Sequence, residues 1–123
     1  MVVTADVPPS PDAVAPDGSS IGLLVVGERG SMVHCTLGRG DVTRAVQHRT
    51  VEEMWFVTGG AGHAWIGGET VPLRRGTSVV IPTGTPFQFR AGYGGLELVI
   101  TTMPPWPGPD EATPASGPWA PTV

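Results

Sequence analysis

The chain has 123 residues with a formal charge of −4 at pH 7, and it contains 18 glycines, 14 prolines, one cysteine and no lysine. That length suits one well-packed core rather than two; lone Cys35 excludes an intrachain disulfide or a zinc-type cysteine pair, and the absence of lysine excludes a Schiff base through a lysine side chain. Adjacent bases occur only at Arg74–Arg75, without aromatic interleaving, which argues against nucleic-acid binding, while apolar runs far below the roughly 18 residues that cross a bilayer and no basic start with an apolar run make the cytoplasm the expected compartment.

Residues 1–18 are proline-rich and acidic, with little that packs, and read as a flexible lead-in. Residues 19–103 hold all seven arginines and read as a succession of short strands. These are placed at about 21–26, 31–37, 42–48, 53–58, 62–66, 70–73, 77–81, 86–91 and 95–102, from runs rich in Val, Ile, Thr and aromatics. Turns are expected at Gly27–Gly30, Gly38–Gly40, Gly59–Gly60, Gly67–Gly68 and Gly92–Gly95. Gly67–Gly68, flanked by strand-like residues, suits a two-residue hairpin loop. No window sustains a helical apolar period, so the reading is all-β, a sandwich or closed barrel. Residues 104–123 form a proline-rich tail whose acids read as solvated. Trp106 sits within it in PPWPGP and Trp119 in GPWAP. A tryptophan gains little from remaining in water, so Trp106 at least is expected to pack on the barrel or on a partner subunit.

Alternation assigns faces. Val42, Arg44, Val46 and His48 share one face of their run; Glu53, Trp55 and Val57 share another; Phe87 and Phe89 a third. The run at 53–58 is apolar on both sides, which suits a strand lining the barrel on one face and packing on a second layer or subunit on the other. A homodimer is the expectation.

The spacing Gly40, Val46-Gln47-His48, Glu53, Gly60, followed by Gly76, Pro82-Thr83-Gly84, Phe87, resembles the two ordered motifs of the cupin superfamily. The resemblance covers about 31–102 and implies a small double-stranded β-helix, or jelly-roll barrel. It also implies a divalent metal, Fe, Mn, Zn or Ni, held by three histidines and a glutamate. The matching positions here are Val46, His48, Glu53 and Phe87, so only His48 and Glu53 bring lone pairs. His34 or His63 would have to complete such a site, and a protein without a bound cofactor is the preferred expectation.

His48 and Glu53 are the candidate catalytic pair. An imidazole with an ordinary pKa near about 6.5 moves protons in both directions at neutrality, with the carboxylate orienting it. Arg44, on the face of His48, is the candidate for stabilising developing negative oxygen charge. Val46, Trp55, Trp65, Phe87 and Phe89 would make an apolar pocket, or else plug a small barrel. Cys35 reads as a small buried apolar group. The expected function is acid–base chemistry (isomerisation, cyclisation, dehydration or decarboxylation) on a small apolar or aromatic metabolite. The alternatives are a metal-dependent, dioxygenase-like enzyme with an incomplete site, and a non-catalytic binding or sensing module.

Overall fold

The computed structural model describes residues 1–123, and nearly all of its regular structure is strand. The strands are β1 (Ala13–Val14), β2 (Ser20–Val26), β3 (Ser31–Leu37), β4 (Val46–His48), β5 (Glu52–Ile66), β6 (Glu69–Arg74), β7 (Ser78–Ile81), β8 (Phe87–Met103) and β9 (Ala112–Pro114), with one 3-10 turn at Pro109–Glu111. All pairings are antiparallel. One path runs β1-β2-β3-β8-β4-β9, and β5 joins β6, β7 and β8. No helix is long and apolar enough to cross a membrane.

Two long strands replace the four short ones that the glycines suggested. β5 and β8 pair from Glu52↔Met103 to Ile66↔Phe87, with register shifts between Val57 and Gly59 and between Gly60 and Gly62. Gly59–Gly60 and Gly92–Gly95 are therefore bends within continuous strands, not the ends of strands. The reason is local: Gly60 has φ +71°, Gly95 has φ +78°, and a Cβ on Gly60 would meet the Gly95 carbonyl oxygen at 2.1 Å. Glycine alone permits that approach. The bulges also switch faces, as an extra residue does to a strand of period two. In β5, Glu53, Trp55 and Val57 point inward before the bend, and Gly62 and Ala64 after it. In β8, Phe87, Phe89 and Ala91 give way to Leu96, Leu98, Ile100 and Thr102.

The core lies between these inner faces, around Trp55, Phe87, Phe89, Leu73, Ile81 and Leu98, each at most 1% exposed. The Trp55 ring meets Phe87 and Phe89 edge-on, with centroids 5.6 and 4.9 Å away, an arrangement that aromatic quadrupoles favour. Gly67–Gly68, at φ +56° and +98°, makes the two-residue hairpin between β5 and β6.

The expected strand over 42–48 shortens to Val46–His48. Upstream, Val42 makes only an isolated bridge to Arg90. Thr43 Oγ1 accepts from the Phe89 N–H at 3.0 Å while its own N–H donates to the Phe89 carbonyl at 2.9 Å. A side-chain oxygen thus takes the place of a ladder carbonyl, and the alternation that linked Arg44 to His48 is broken.

Both chain ends join the sheet. Ala13–Val14 pairs with β2, and Asp12 Oδ2 accepts from the Leu23 N–H at 2.7 Å. The expected flexible lead-in therefore gives way to paired structure from Asp12 onward. In the tail, β9 pairs with β4, with His48 opposite Ala112. The buried Gln88 side chain donates to the Trp119 carbonyl at 2.8 Å and accepts from the Trp119 N–H at 3.2 Å. Buried polar groups rarely go unpaired, and here they hold the tail to the barrel.

Candidate active site

A cavity of about 630 Å³ opens between β2, β3, the start of β5, the two ends of β8 and the tail. This is the usual size for a small-molecule site. Its wall is mainly apolar, with Ile21, Val33, Val46, Phe87, Ile100 and Trp106 prominent. The polar side chains in the wall are those of Asp17, Ser19, Ser31, His48, Glu53 and Thr102.

β4 presents Val46 and His48 to this cavity. The imidazole is 5% exposed and packs edge-on between the rings of Phe87 and Trp106, with centroids at 5.2 and 5.3 Å. Its Nδ1 is buried without a hydrogen-bond partner, and burial pushes its pKa below the ordinary histidine value, against a weaker opposing pull from Glu111. Glu53 comes from the first inward position of β5. Its Oε1 accepts from Trp55 Nε1 at 2.9 Å, and its Oε2 lies 3.8 Å from His48 Nδ1. Burial pushes the Glu53 carboxyl up to about 8, with Asp17 adding to the rise and the Trp55 bond opposing it. At neutral pH the pair is therefore an uncharged carboxylic acid facing an uncharged imidazole. Glu53 does not orient His48 by a hydrogen bond, because 3.8 Å is too long for one. The ring is held by packing and by the β4–β9 ladder instead.

Asp17 is a third member, from the segment expected to be a flexible lead-in. It is 8% exposed, and its Oδ1 accepts from the Ser19 N–H at 2.9 Å and the Ser19 hydroxyl at 2.7 Å. Burial pushes its carboxyl upward, against those bonds and the charge of Arg44. An Asp two residues ahead of a Ser at the start of a strand is a local turn signal that would have marked the position as ordered. Trp106 closes another side of the cavity, its N–H donating to Ser31 Oγ at 2.9 Å.

Other candidates lie elsewhere. Arg44 is exposed, with its Nε donating to the Val123 carbonyl at 3.1 Å, so it does not reach the cavity mouth. Trp55 and Phe89 plug the barrel behind the cavity, while Val46 and Phe87 line it. Trp65 follows the bulge and falls on the outer face, half-buried. His34 bonds Glu97 Oε2 at 3.0 Å, and His63 is exposed on the outer side of β5. Cys35 is fully buried, and burial pushes its thiol far up, which keeps it protonated and unreactive. Glu111, read as solvated, is buried and receives the backbone and hydroxyl donors of Thr50 and the N–H of Val51.

The donor set does not fit the metal that the motif resemblance implies. Val46 and Phe87 supply no lone pair, neither His34 nor His63 turns inward, and no three His, Cys, Asp or Glu side chains converge to hold an ion.

A curled antiparallel barrel with an apolar cavity at its mouth, carrying an imidazole from β4 and a carboxyl from β5, defines a small jelly-roll of the double-stranded β-helix class. The chain belongs to the Cupin domain family, whose model matches residues 32–102. It is similar in fold to KdgF from Halomonas sp., at 20% identity and a TM-score of 0.66 over 84% of this chain and 86% of that one. It is also similar to Streptomyces PAC13 with uridine, at 15% identity and a TM-score of 0.74 over 93% and 92%, a protein described as a nucleoside dehydratase. A predicted oxalate decarboxylase from Thermotoga maritima aligns at 15% identity and a TM-score of 0.70 over 83% and 98%. No curated protein matches the sequence.

Proposed function

We propose that this cupin is an enzyme doing acid–base chemistry on a small, largely apolar metabolite, with dehydration as the reaction that the pair suits best and isomerisation, cyclisation or decarboxylation open to the same groups. The observation that carries the reading is the buried, unpartnered Nδ1 of His48, 3.8 Å from Glu53 Oε2 in the cavity wall. An imidazole held neutral by burial accepts a proton from a carbon beside a carbonyl, and a carboxyl held protonated delivers one to a departing hydroxyl. The C–H pair becomes the new C=C bond, the C–O pair leaves with the hydroxyl, and water departs. His48 then returns its proton to Glu53 across the short gap between them, which restores both groups. No arginine side chain lines the cavity, so among the protein's own groups the charge on the departing oxygen is met by proton transfer rather than by an ion pair. The dehydratase among the structural neighbours carries this class of reaction on a similar fold, which supports the reading by analogy.

The reading includes a homodimer. Met54 and Val80 are paired across β5 and β7, and with Phe56 they project from the outer face at 47, 48 and 50% exposure, an apolar surface of the kind that partners cover.

The functional test uses 4-hydroxy-4-phenylbutan-2-one, which loses water to give a conjugated enone followed by absorbance. The wild type is expected to accelerate that loss, and His48→Ala to slow it by roughly 10²- to 10⁴-fold. Equal rates for the two proteins, or a wild type no faster than buffer, overturn the proposal.

A further inference from the structure

We propose that Asp17 is the specificity-determining residue of the cavity and that the cavity takes an uncharged, apolar molecule bearing a hydroxyl group while turning anions away. The inference deepens the proposed function and rests on the same cavity. It stands on what lines the wall. Asp17 and Glu53 both reach the cavity, and no lysine or arginine does. Arg44, the nearest arginine in sequence to His48 on its N-terminal side, is exposed and engaged with the Val123 carbonyl.

Each carboxyl has one oxygen committed and one uncommitted. Asp17 Oδ1 is taken by Ser19, and Glu53 Oε1 by Trp55. Asp17 Oδ2 and Glu53 Oε2 accept no hydrogen bond from the protein, and both belong to the cavity wall. A ligand carboxylate or phosphate entering this space would lose its water beside two carboxyl groups and meet no arginine in the wall, Arg44 acting on Asp17 from outside it, so its desolvation is poorly compensated. A hydroxyl both donates and accepts, so it can meet a free carboxyl oxygen of this wall whichever way the proton lies. The surrounding Ile21, Val33, Val46, Phe87 and Ile100 then take up the apolar remainder of the ligand. Asp17 reaches this position because the segment before β2 folds over the mouth, with Ala13 to Pro16 also in the wall. Selection is thus built from a part of the chain outside the two motifs at Gly40–Gly60 and Gly76–Phe87.

The test is calorimetric titration of the full chain with three probes of one skeleton: 2-phenylethanol, phenylacetate and 2-phenylethylammonium. The alcohol is expected to bind, with phenylacetate at least about tenfold weaker. Asp17→Asn, which keeps an oxygen for Ser19 to bond and so preserves the turn, is expected to narrow the gap between alcohol and phenylacetate severalfold. Circular dichroism confirms that the variant is folded. The inference is overturned if phenylacetate binds as well as the alcohol, if the ammonium binds best, if the alcohol fails to bind, or if Asp17→Asn leaves the gap unchanged. Failure of this inference and failure of the functional reading are separable. Alcohol-selective binding without dehydration of the hydroxy ketone sinks only the chemistry, and dehydration with anion-preferring binding sinks only the selectivity.

Discussion

The Glu111 carboxylate, brought in by the C-terminal tail, receives both the backbone N–H and the hydroxyl of Thr50, the latter at 2.8 Å to Oε1 and 2.7 Å to Oε2. The same Oε1 takes the Val51 N–H at 2.8 Å, and the Glu111 carbonyl accepts from Arg49 N–H at 2.9 Å. This links the tail to the turn that separates His48 from Glu53, so the spacing of the proposed catalytic pair depends on a residue far along the chain.

Glu111→Ala is expected to destabilise the fold by roughly 1–3 kcal/mol, since it strips charge-assisted bonds from the Thr50 donors and from the buried Val51 N–H. Although burial pushes the Glu111 carboxyl up, the Thr50 and Val51 bonds and His48 more than offset this and hold it below the usual range. A depressed carboxyl contributes stability that is present above its unfolded pKa and lost as pH falls through the folded one. Urea unfolding of wild type and variant should therefore differ at pH 7 and converge in acid. A difference that persists unchanged at low pH would rule out the charge as the source.

Glu53 behaves oppositely. Its folded pKa, raised to about 8, means that the native state holds a proton the unfolded chain releases from about pH 4.5 upward. Its contribution is present below that pH and lost as pH rises through about 8. Glu53→Gln removes this linkage and is expected to raise stability at pH 7 by roughly 3 kcal/mol, while eliminating the proposed proton donor. Denaturant midpoints measured at pH 5 and pH 8 decide it: the variant's advantage should grow with pH.

The dehydration rate should be bounded on both sides. It needs neutral His48, whose pKa burial lowers, and protonated Glu53. Activity is expected to fall on the alkaline side near pH 8 and to persist on the acid side below the ordinary histidine range of about 6.5. A rate rising steadily through pH 9 would exclude the Glu53 carboxyl as the acid.

Gly60→Ala should prevent folding or cost more than about 4 kcal/mol, because the new Cβ would fall 2.1 Å from the Gly95 oxygen at a φ of +71°. Gly68→Ala, at φ +98° with no atom within 4 Å of the new Cβ, should cost only about 1–2 kcal/mol. Thermal melts of the two variants compare them directly, and similar melting temperatures would remove the argument from close approach.

Phe56→Glu is expected to leave far-ultraviolet circular dichroism unchanged and to convert a dimer to a monomer in sedimentation velocity. A wild type that already sediments as a monomer at micromolar concentration would retire the dimer proposal.

Strand content, the Gly67–Gly68 hairpin, the span Ser31–Leu37 and the candidacy of His48 and Glu53 could all be read from residues in order, because each rests on short-range alternation, turn chemistry or motif spacing. Arg44 and Trp65 lie outside the cavity because the side-chain hydrogen bond of Thr43 and the bulges of β5 interrupt the alternation that would aim them inward. A bulge is set by the partner strand, here by Gly95 lying against Gly60, and no local window contains both residues.

The order of residues by itself determined the all-β class, the Gly67–Gly68 hairpin and the two candidate groups for moving a proton. Only the tertiary structure decided that those groups are uncharged, that they stand 3.8 Å apart, and that Asp17 and Glu111 leave solvent to join them or to brace their turn. Charge state and distance depend on burial and on contacts between segments remote in sequence. Burial is a property of the assembled fold, which is why acidic ends that look solvated in isolation supply the cavity and its support.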